Sequence, residues 1–298
     1  MSREEIMRDN RIKSPFQFLN RQTQSSDLVI LVCGYKQVLW PYFFGRLEKF
    51  VSKNLDVCIV CPGFKSHPEL EAKADKNGWS ILLCHQNKIS IAINLVIKEH
   101  PHASFIHKLD EDIIICKGYF ERMSALLKLL DNDNSHDYAF AAPLINVNGY
   151  SYHRLLRLLG KTNEYESQFG TAKSACMQVE AWSNPKAASY LWDLVTPIDK
   201  TATELFNSGQ NYSICPHRFS IGAMLFHRSL WEDINYFEAG KEAQLGIEEK
   251  QLAEFCSNRS QLIAVSEEVL AGHFSFGPQY EGMLDKLNAS DAFLRIQG

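Results

Sequence analysis

The sequence has no stretch approaching the roughly 18 consecutive apolar residues of a membrane-spanning helix. Its longest apolar runs, such as "LVILVC" at residues 28–33, have the length of a strand. The opening segment, "MSREEIMRDNRIKSPFQFLNRQTQSSD", carries both signs of charge and lacks an apolar run, so no secretory leader is expected. Basic residues are not in excess: 31 Lys and Arg stand against 35 Asp and Glu, a net charge of −4. With no basic cluster or stripe either, nucleic acid is not an expected partner. A second CxxC is also missing. Cys58 and Cys61 form a lone pair inside the strand-like "DVCIVC", where a spacing of three sends the thiols to opposite faces. Most of the eight cysteines sit in apolar runs, which fits buried free thiols rather than zinc ligands or disulfides. Three glycosylation-like triplets at Asn211, Asn258 and Asn288 lack the secretory context that would give them meaning. These absences lead to the expectation of a cytoplasmic protein with no transmembrane segment, peripheral contact with the inner face of a membrane being left open.

What is present is an ordinary globular composition, 45% hydrophobic and 22% charged over 298 residues. That length can bury a substantial core. From residue 27 the chain alternates between two kinds of segment. "DLVILVCG", "DVCIVCPG", "WSILLCH" and "ASFIHKLD" have strand character, whereas "VLWPYFFGRLEKFVSK", "HPELEAKADKNG" and "SIAINLVIKEH" have helix spacing or helix start and stop signals. Such alternation predicts βαβ units around a mainly parallel sheet. "CKGYFERMSALLKLL" continues with a helical face of Tyr119, Phe120, Met123, Leu126, Leu127 and Leu130. Beyond residue 131 the pattern loosens. "YAFAAPLINVNG" is extended, residues 150–216 are aromatic-rich and irregular, and "SIGAMLFHRSLWEDI" runs from strand or turn into helix. "LGIEEKQLAEFC" reads as helix, "QLIAVSEEVLAGHFSFG" as extended chain, and the end as a polar tail. The expected organisation is a polar extension (1–26), a first half (27–130), a second half (131–277) and a C-terminal tail (278–298).

Ligands in open parallel sheets sit outside the carboxyl ends of the strands. "FIHKLDEDIIIC" places Asp110 and Asp112 there. In extended backbone, residues two apart point the same way, so both carboxylates can approach one cation while Glu111 faces elsewhere. All-oxygen ligation by few protein groups suits Mg²⁺ or Mn²⁺ shared with substrate phosphates. The bland alternative is a charged turn. The second such triplet, Asp131-Asn132-Asp133, lies in a polar loop with no strand before it and reads as a solvated turn.

The ordered set "CHQNKISIAIN", "FIHKLDEDIIICKGYFE", "SIGAMLFHRSLWEDI", "LGIEEKQLAEFC" and "VLAGHFSFG" resembles the inverting, metal-dependent glycosyltransferases of the family 2 type. The resemblance implies a GT-A-like α/β fold, with a mixed, mainly parallel sheet flanked by helices. It also implies transfer of a sugar from a nucleotide-diphosphate sugar, a UDP-sugar first among them, to a hydroxyl of a glycan or glycolipid in polysaccharide or glycoconjugate synthesis. On this likeness Asp110, Asp112 and His273 hold the divalent cation (Mn²⁺ or Mg²⁺). The donor lies against Asp110, Asp112, Lys88, Asn94, Gly34, Gly222 and Ala223. Glu249, with Glu248 beside it, supplies the base, and the acceptor lies over residues 222–224 and part of 150–216. The first half then binds the nucleotide sugar, and the second binds the acceptor. Two departures stand out: no acidic residue ends the second strand, and "VCGYKQ" replaces the usual proline and asparagine after the first.

Other readings have less behind them. A sugar-nucleotide nucleotidyltransferase needs a glycine-rich basic loop after the first strand, and "CGYKQVLWPYF" has one glycine and one lysine. "LGKT" at residues 159–162 lacks the earlier glycine and preceding strand of a P-loop. A catalytically inactive carbohydrate-binding relative would have no need to keep Asp110, Asp112, Glu249 and His273 together.

Overall fold

The computed structural model describes residues 3–209, 211–240 and 246–296. The chain packs as two compact units that interleave along the sequence. The first takes Met1–Val38, Val51–Glu111 and Met224–Gln261; the second takes Leu39–Phe50, Asp112–Ala223 and Leu262–Gly298.

In the first unit the strands β1 (Phe16–Leu19), β2 (Asp27–Val32), β3 (Asp56–Pro62), β4 (Ser80–Cys84), β5 (Phe105–Asp110) and β9 (Ala223–His227, from Met224) lie in the order β1-β4-β3-β2-β5-β9. The pairs β4–β3, β3–β2 and β2–β5 are parallel. All seven residues of β3 and all five of β4 are buried, as expected of strands covered on both faces. Helices α3 (Pro68–Asn77) and α4 (Ile89–Glu99) make the crossovers, and α11 (Arg228–Asp233) and α12 (Ile247–Arg259) follow β9. The predicted helix "LGIEEKQLAEFC" begins at Ile247; Leu245 lies outside the described residues.

The polar extension carries secondary structure for which no element was predicted. It contains α1 (Arg3–Asn10) and β1, which pairs antiparallel with β4. Its burial alternates, and Phe18 meets the His100 ring edge-on at 5.6 Å. Four residues of edge strand among polar neighbours give too short a period-two signal to read.

In the second unit β10 (Leu262–His273) is the spine. It pairs parallel with β7 (Tyr138–Ile145), and antiparallel with both β6 (Ile113–Ile115) and β8 (Tyr212–Cys215). Around it stand α2 (Trp40–Phe50), α5 (Tyr119–Asp131), α6 (Ser151–Leu158), α7 (Thr162–Phe169), α8 (Glu180–Ser183), α9 (Pro185–Val195), α10 (Ile198–Asn207) and α13 (Tyr280–Ala289). The irregular 150–216 segment is thus largely helical. The polar tail is helical too, and it buries Met283 and Leu287.

All eight cysteines are free, and seven of them are buried. Burial pushes the thiols of Cys58 and Cys116 up, the latter to about 11. No described helix is long and apolar enough to cross a membrane.

Candidate functional site

The sequence triplet Asp110-Glu111-Asp112 falls where the two units divide, and each unit builds its own cluster from it.

In the first unit, β5 ends at Asp110, opposite Val32 at the end of β2. Lys108, two residues earlier and therefore on the same face, is 4% exposed. Its Nζ donates to Asp110 Oδ2 at 2.6 Å. Glu111 turns the other way but does not reach solvent, being 3% exposed. Its carboxylate accepts the backbone N–H groups of Gly34 (2.9 Å), Tyr35 (2.6 Å) and Lys36 (2.7 Å). Successive amides aimed at one point make an anion nest, here filled by the protein's own carboxylate. Gly34 is required at this turn. Its φ is +127°, and an added Cβ would lie 2.6 Å from a carbon of the Phe64 ring. Its N–H is engaged by Glu111, so Gly34 shapes the loop and offers no amide to a donor.

Glu248 and Glu249 open α12, both half-buried. The Glu248 carboxyl is pushed above the ordinary carboxylate range, chiefly by burial; Lys108 opposes the shift, while Glu249 and Asp110 add to it. Ser90 Oγ lies 3.4 Å from Glu248 Oε2. Lys88, before α4, donates from Nζ to the Gly240 carbonyl at 2.7 Å.

Asn94 is fully buried, and its amide is consumed by the protein. Nδ2 donates to the carbonyls of Arg11 and Phe237, and Oδ1 accepts from Trp231 Nε1 and the Phe237 N–H, all at 2.8–3.0 Å. It ties together the loop after α11, α4 and the N-terminal segment. The donor contact expected of it is replaced by this structural role, because no hydrogen-bonding capacity remains.

In the second unit, β6 starts directly after Asp112 and runs antiparallel to β10, with His273 opposite Ile113. That register sets the His273 imidazole against Asp112: Nε2 lies 3.2 Å from Oδ2, with side-chain exposures of 13% and 7%. His273 Nδ1 is 2.9 Å from the Val147 carbonyl, which can only accept, so Nδ1 carries the hydrogen. The His273 N–H donates to Asn146 Oδ1 (2.9 Å), and Trp192 Nε1 donates to the carbonyls of His273 and Phe274 (3.0 and 3.2 Å). Gly272 makes room for this arrangement, since a Cβ there would fall 2.1 Å from the Trp192 ring.

With Nδ1 committed to that carbonyl, Nε2 faces a carboxylate oxygen at 3.2 Å, a separation that a shared proton or a shared cation bridges. A backbone carbonyl on the remote nitrogen is the usual support of a metal-binding histidine. The pair therefore fits Mn²⁺, which accepts imidazole and carboxylate together and takes further oxygens from substrate phosphates. No group of three or more His, Cys, Asp or Glu side chains able to hold a metal occurs among the described residues.

Of the remaining predicted residues, Gly222 is half-buried in a turn and Ala223, fully buried, opens β9. The second triplet, Asp131-Asn132-Asp133, starts at the last residue of α5 and runs into a turn. Asp133 accepts from the Tyr138 hydroxyl and the Ser135 N–H, and these bonds pull its carboxyl down to about 2. Lys108 and Glu111 were missed. A lysine two residues before Asp110 in an apolar strand was a readable sign; nothing in the sequence foretells the nest that Glu111 fills.

No protein-family model matches the sequence, and no curated protein matches it. Among solved structures it is similar to GalNAc-T7 with UDP, GalNAc and Mn²⁺, at 11% identity and a TM-score of 0.53, over 90% of this chain and 48% of that one. It is also similar to the mannosyltransferase PcManGT from Pyrobaculum calidifontis in complex with GDP-Man and Mn²⁺, at 10% identity and a TM-score of 0.48, over 96% and 75% of the two chains. The chain spans about half the length of the GalNAc-T7 structure. At this identity the likeness to GalNAc-T7 establishes the fold: a GT-A-like α/β architecture with a mainly parallel sheet flanked by helices.

Proposed function

We propose that this protein is a metal-dependent glycosyltransferase that moves a sugar from a nucleotide-diphosphate sugar to a hydroxyl acceptor with inversion. The observation that carries the reading is the His273–Asp112 pair, whose Nδ1 is committed to a carbonyl while Nε2 faces a carboxylate. Mn²⁺ is named as the cation because the similar GalNAc-T7 structure holds it. When bound, it offsets the charge that develops on the departing diphosphate. Asp112 and His273 are its proposed ligands, and Asp110 is added from the sequence triplet.

Glu248 is the proposed base, in preference to Glu249. Its carboxyl sits among Lys108 and Asp110 and is raised toward the working range of a proton acceptor. The acceptor O–H gives its proton to a Glu248 carboxylate oxygen as the acceptor oxygen bonds to the anomeric carbon. The bond from that carbon to the diphosphate oxygen breaks on the opposite face, leaving the nucleoside diphosphate. Lys108, buried beside Asp110, is a proposed further contact for the anionic donor. Lys88 and the Gly222–Ala223 turn remain proposed donor contacts; Asn94 does not, and the N–H of Gly34 is not offered. The Glu111-filled nest after β2 also disfavours the nucleotidyltransferase alternative, because those amides are turned inward rather than toward a triphosphate. UDP-sugars are the proposed donors and glycan or glycolipid hydroxyls the proposed acceptors.

The reading is tested by offering a panel of nucleotide sugars and saccharide acceptors with Mn²⁺ and recording the anomeric configuration of the product by NMR. An inverted linkage is expected. A retained one would contradict direct displacement with Glu248 as base.

A further inference from the structure

Two half-buried aromatic rings stand beside the metal pair in the second unit. Phe276 meets the His273 ring edge-on, with centroids 4.7 Å apart and planes at 81°. Trp182, in the short helix α8, lies 6.0 Å from Phe276 with the planes tilted by 39°. Trp192, by contrast, is fully buried, with its indole N–H taken by carbonyls at the end of β10. Trp182 and Phe276 are only partly covered, although burying such rings is among the largest apolar gains open to a core.

Their mutual placement is fixed by one side chain. Gln279 is 0% exposed. Its Nε2 donates to the carbonyls of Ala181 (3.0 Å) and Asn184 (3.2 Å), on either side of Trp182. Its Oε1 accepts the Phe276 N–H at 3.1 Å. The Gln279 N–H returns to the Phe276 carbonyl at 3.0 Å. A Cβ on Gly282 would lie 2.5 Å from Pro185 Cβ, so α13 seats directly against the start of α9, just beyond this clamp. A buried glutamine amide with every contact made across two separate segments is a costly device for surface rings to carry without a task. It presents a preorganised, angled apolar surface whose inner end touches the imidazole proposed to hold the cation.

We propose that Trp182 and Phe276 form a stacking surface for a pyranose ring. The apolar C–H face of the sugar lies on the two rings while its hydroxyl edge stays in water, and Gln279 acts as the positioning residue. The choice of a sugar rests on the glycosyl-transfer reading. The shared chemistry is a pyranose, whether the donor's or the acceptor's. Preorganisation lowers the ordering cost of binding, so affinity depends on the clamp as well as on the rings.

The test is saturation-transfer NMR on the full chain, with methyl glycosides and disaccharides in one arm, and nucleotide sugars against the bare nucleoside diphosphates in the other. Each arm is run with EDTA and with Mn²⁺. Saturation of ring C–H protons is expected in at least one arm. Binding by free glycosides assigns the surface to the acceptor, and binding by nucleotide sugars beyond their diphosphates assigns it to the donor sugar. Trp182→Ala and Phe276→Ala should each weaken binding about tenfold, the size of one well-packed ring contact, and Trp182→Phe should restore most of the loss. Gln279→Leu, with both rings retained, should weaken it less, while Mn²⁺ binding stays unchanged. Unaltered sugar affinity in both alanine variants, or no sugar bound in either arm, would overturn the proposal. Sugar binding lost on ring removal, in a protein that transfers nothing, would uphold the surface and remove the glycosyl-transfer reading.

Discussion

Glu111 sits between the two conspicuous aspartates, and its carboxylate holds three consecutive amides of the loop after β2. Glu111→Gln would set an NH₂ group against at least one N–H donor. A loss of about 2 kcal/mol is expected from hydrogen bonds to a buried charge, read as a lower denaturant midpoint at unchanged slope. Glu248 gives the pH prediction. A base must be ionised, so transfer should rise with pH through a carboxyl value above the ordinary glutamate range, and Glu248→Gln should cost about 10²–10⁴-fold in rate. Stability moves the opposite way. The folded carboxyl keeps its proton to higher pH than the unfolded one, so this group's contribution falls as pH rises from the unfolded value through the folded one. Glu248→Gln should remove that slope from pH-dependent unfolding curves. Asp110, Asp112, His273 and the Glu248–Glu249 pair stand in the sequence as residue types at ordered positions, and their roles remain proposals. The burial of Glu248 near Lys108 and Asp110 has no local signal, because burial and charge at the start of a helix depend on what packs against it.

At the scale of elements, the antiparallel register of β6 with β10 delivers His273 to Asp112, and Trp192 lying on Gly272 holds that register's end in place. Gly272→Ala pushes a methyl into a fully buried indole and should cost about 1–3 kcal/mol, or shift Trp192. Circular dichroism melts together with near-ultraviolet tryptophan signals would show either outcome, and unchanged melts and spectra would refute the close-packing account. The parallel strands were readable because buried strands are nearly continuous apolar runs, as in β3 and β4. The helices of residues 150–216 were not read, although signals existed. Asn184 caps α9 by accepting from the Lys186 N–H, with Pro185 at the first turn, and Ala187, Ala188, Leu191, Trp192 and Val195 repeat at helical spacing. Those signals were masked by aromatic density and by the shortness of the neighbouring α6, α7 and α8. In β1 the strand signal was four residues long and lay at an edge.

For the whole molecule, two interleaved units share one acidic triplet: Asp110 with Lys108 and Glu248 belongs to the first, and Asp112 with His273 to the second. The sheet class was legible from the alternation of strands and helices. The interleaving was not, since the return of residues 224–261 to the first unit is a long-range event that no local pattern encodes. The proposed glycosyl transfer depends on a cation held by Asp112 and His273, and nucleotide-sugar turnover reads this dependence in the wild type and in Asp112→Ala. In the wild type, turnover should be abolished by EDTA and restored by adding back Mn²⁺. In the variant it should be lowered about 100-fold or more at any metal concentration. Turnover that survives EDTA, or an Asp112→Ala protein as active as the wild type, would contradict the dependence.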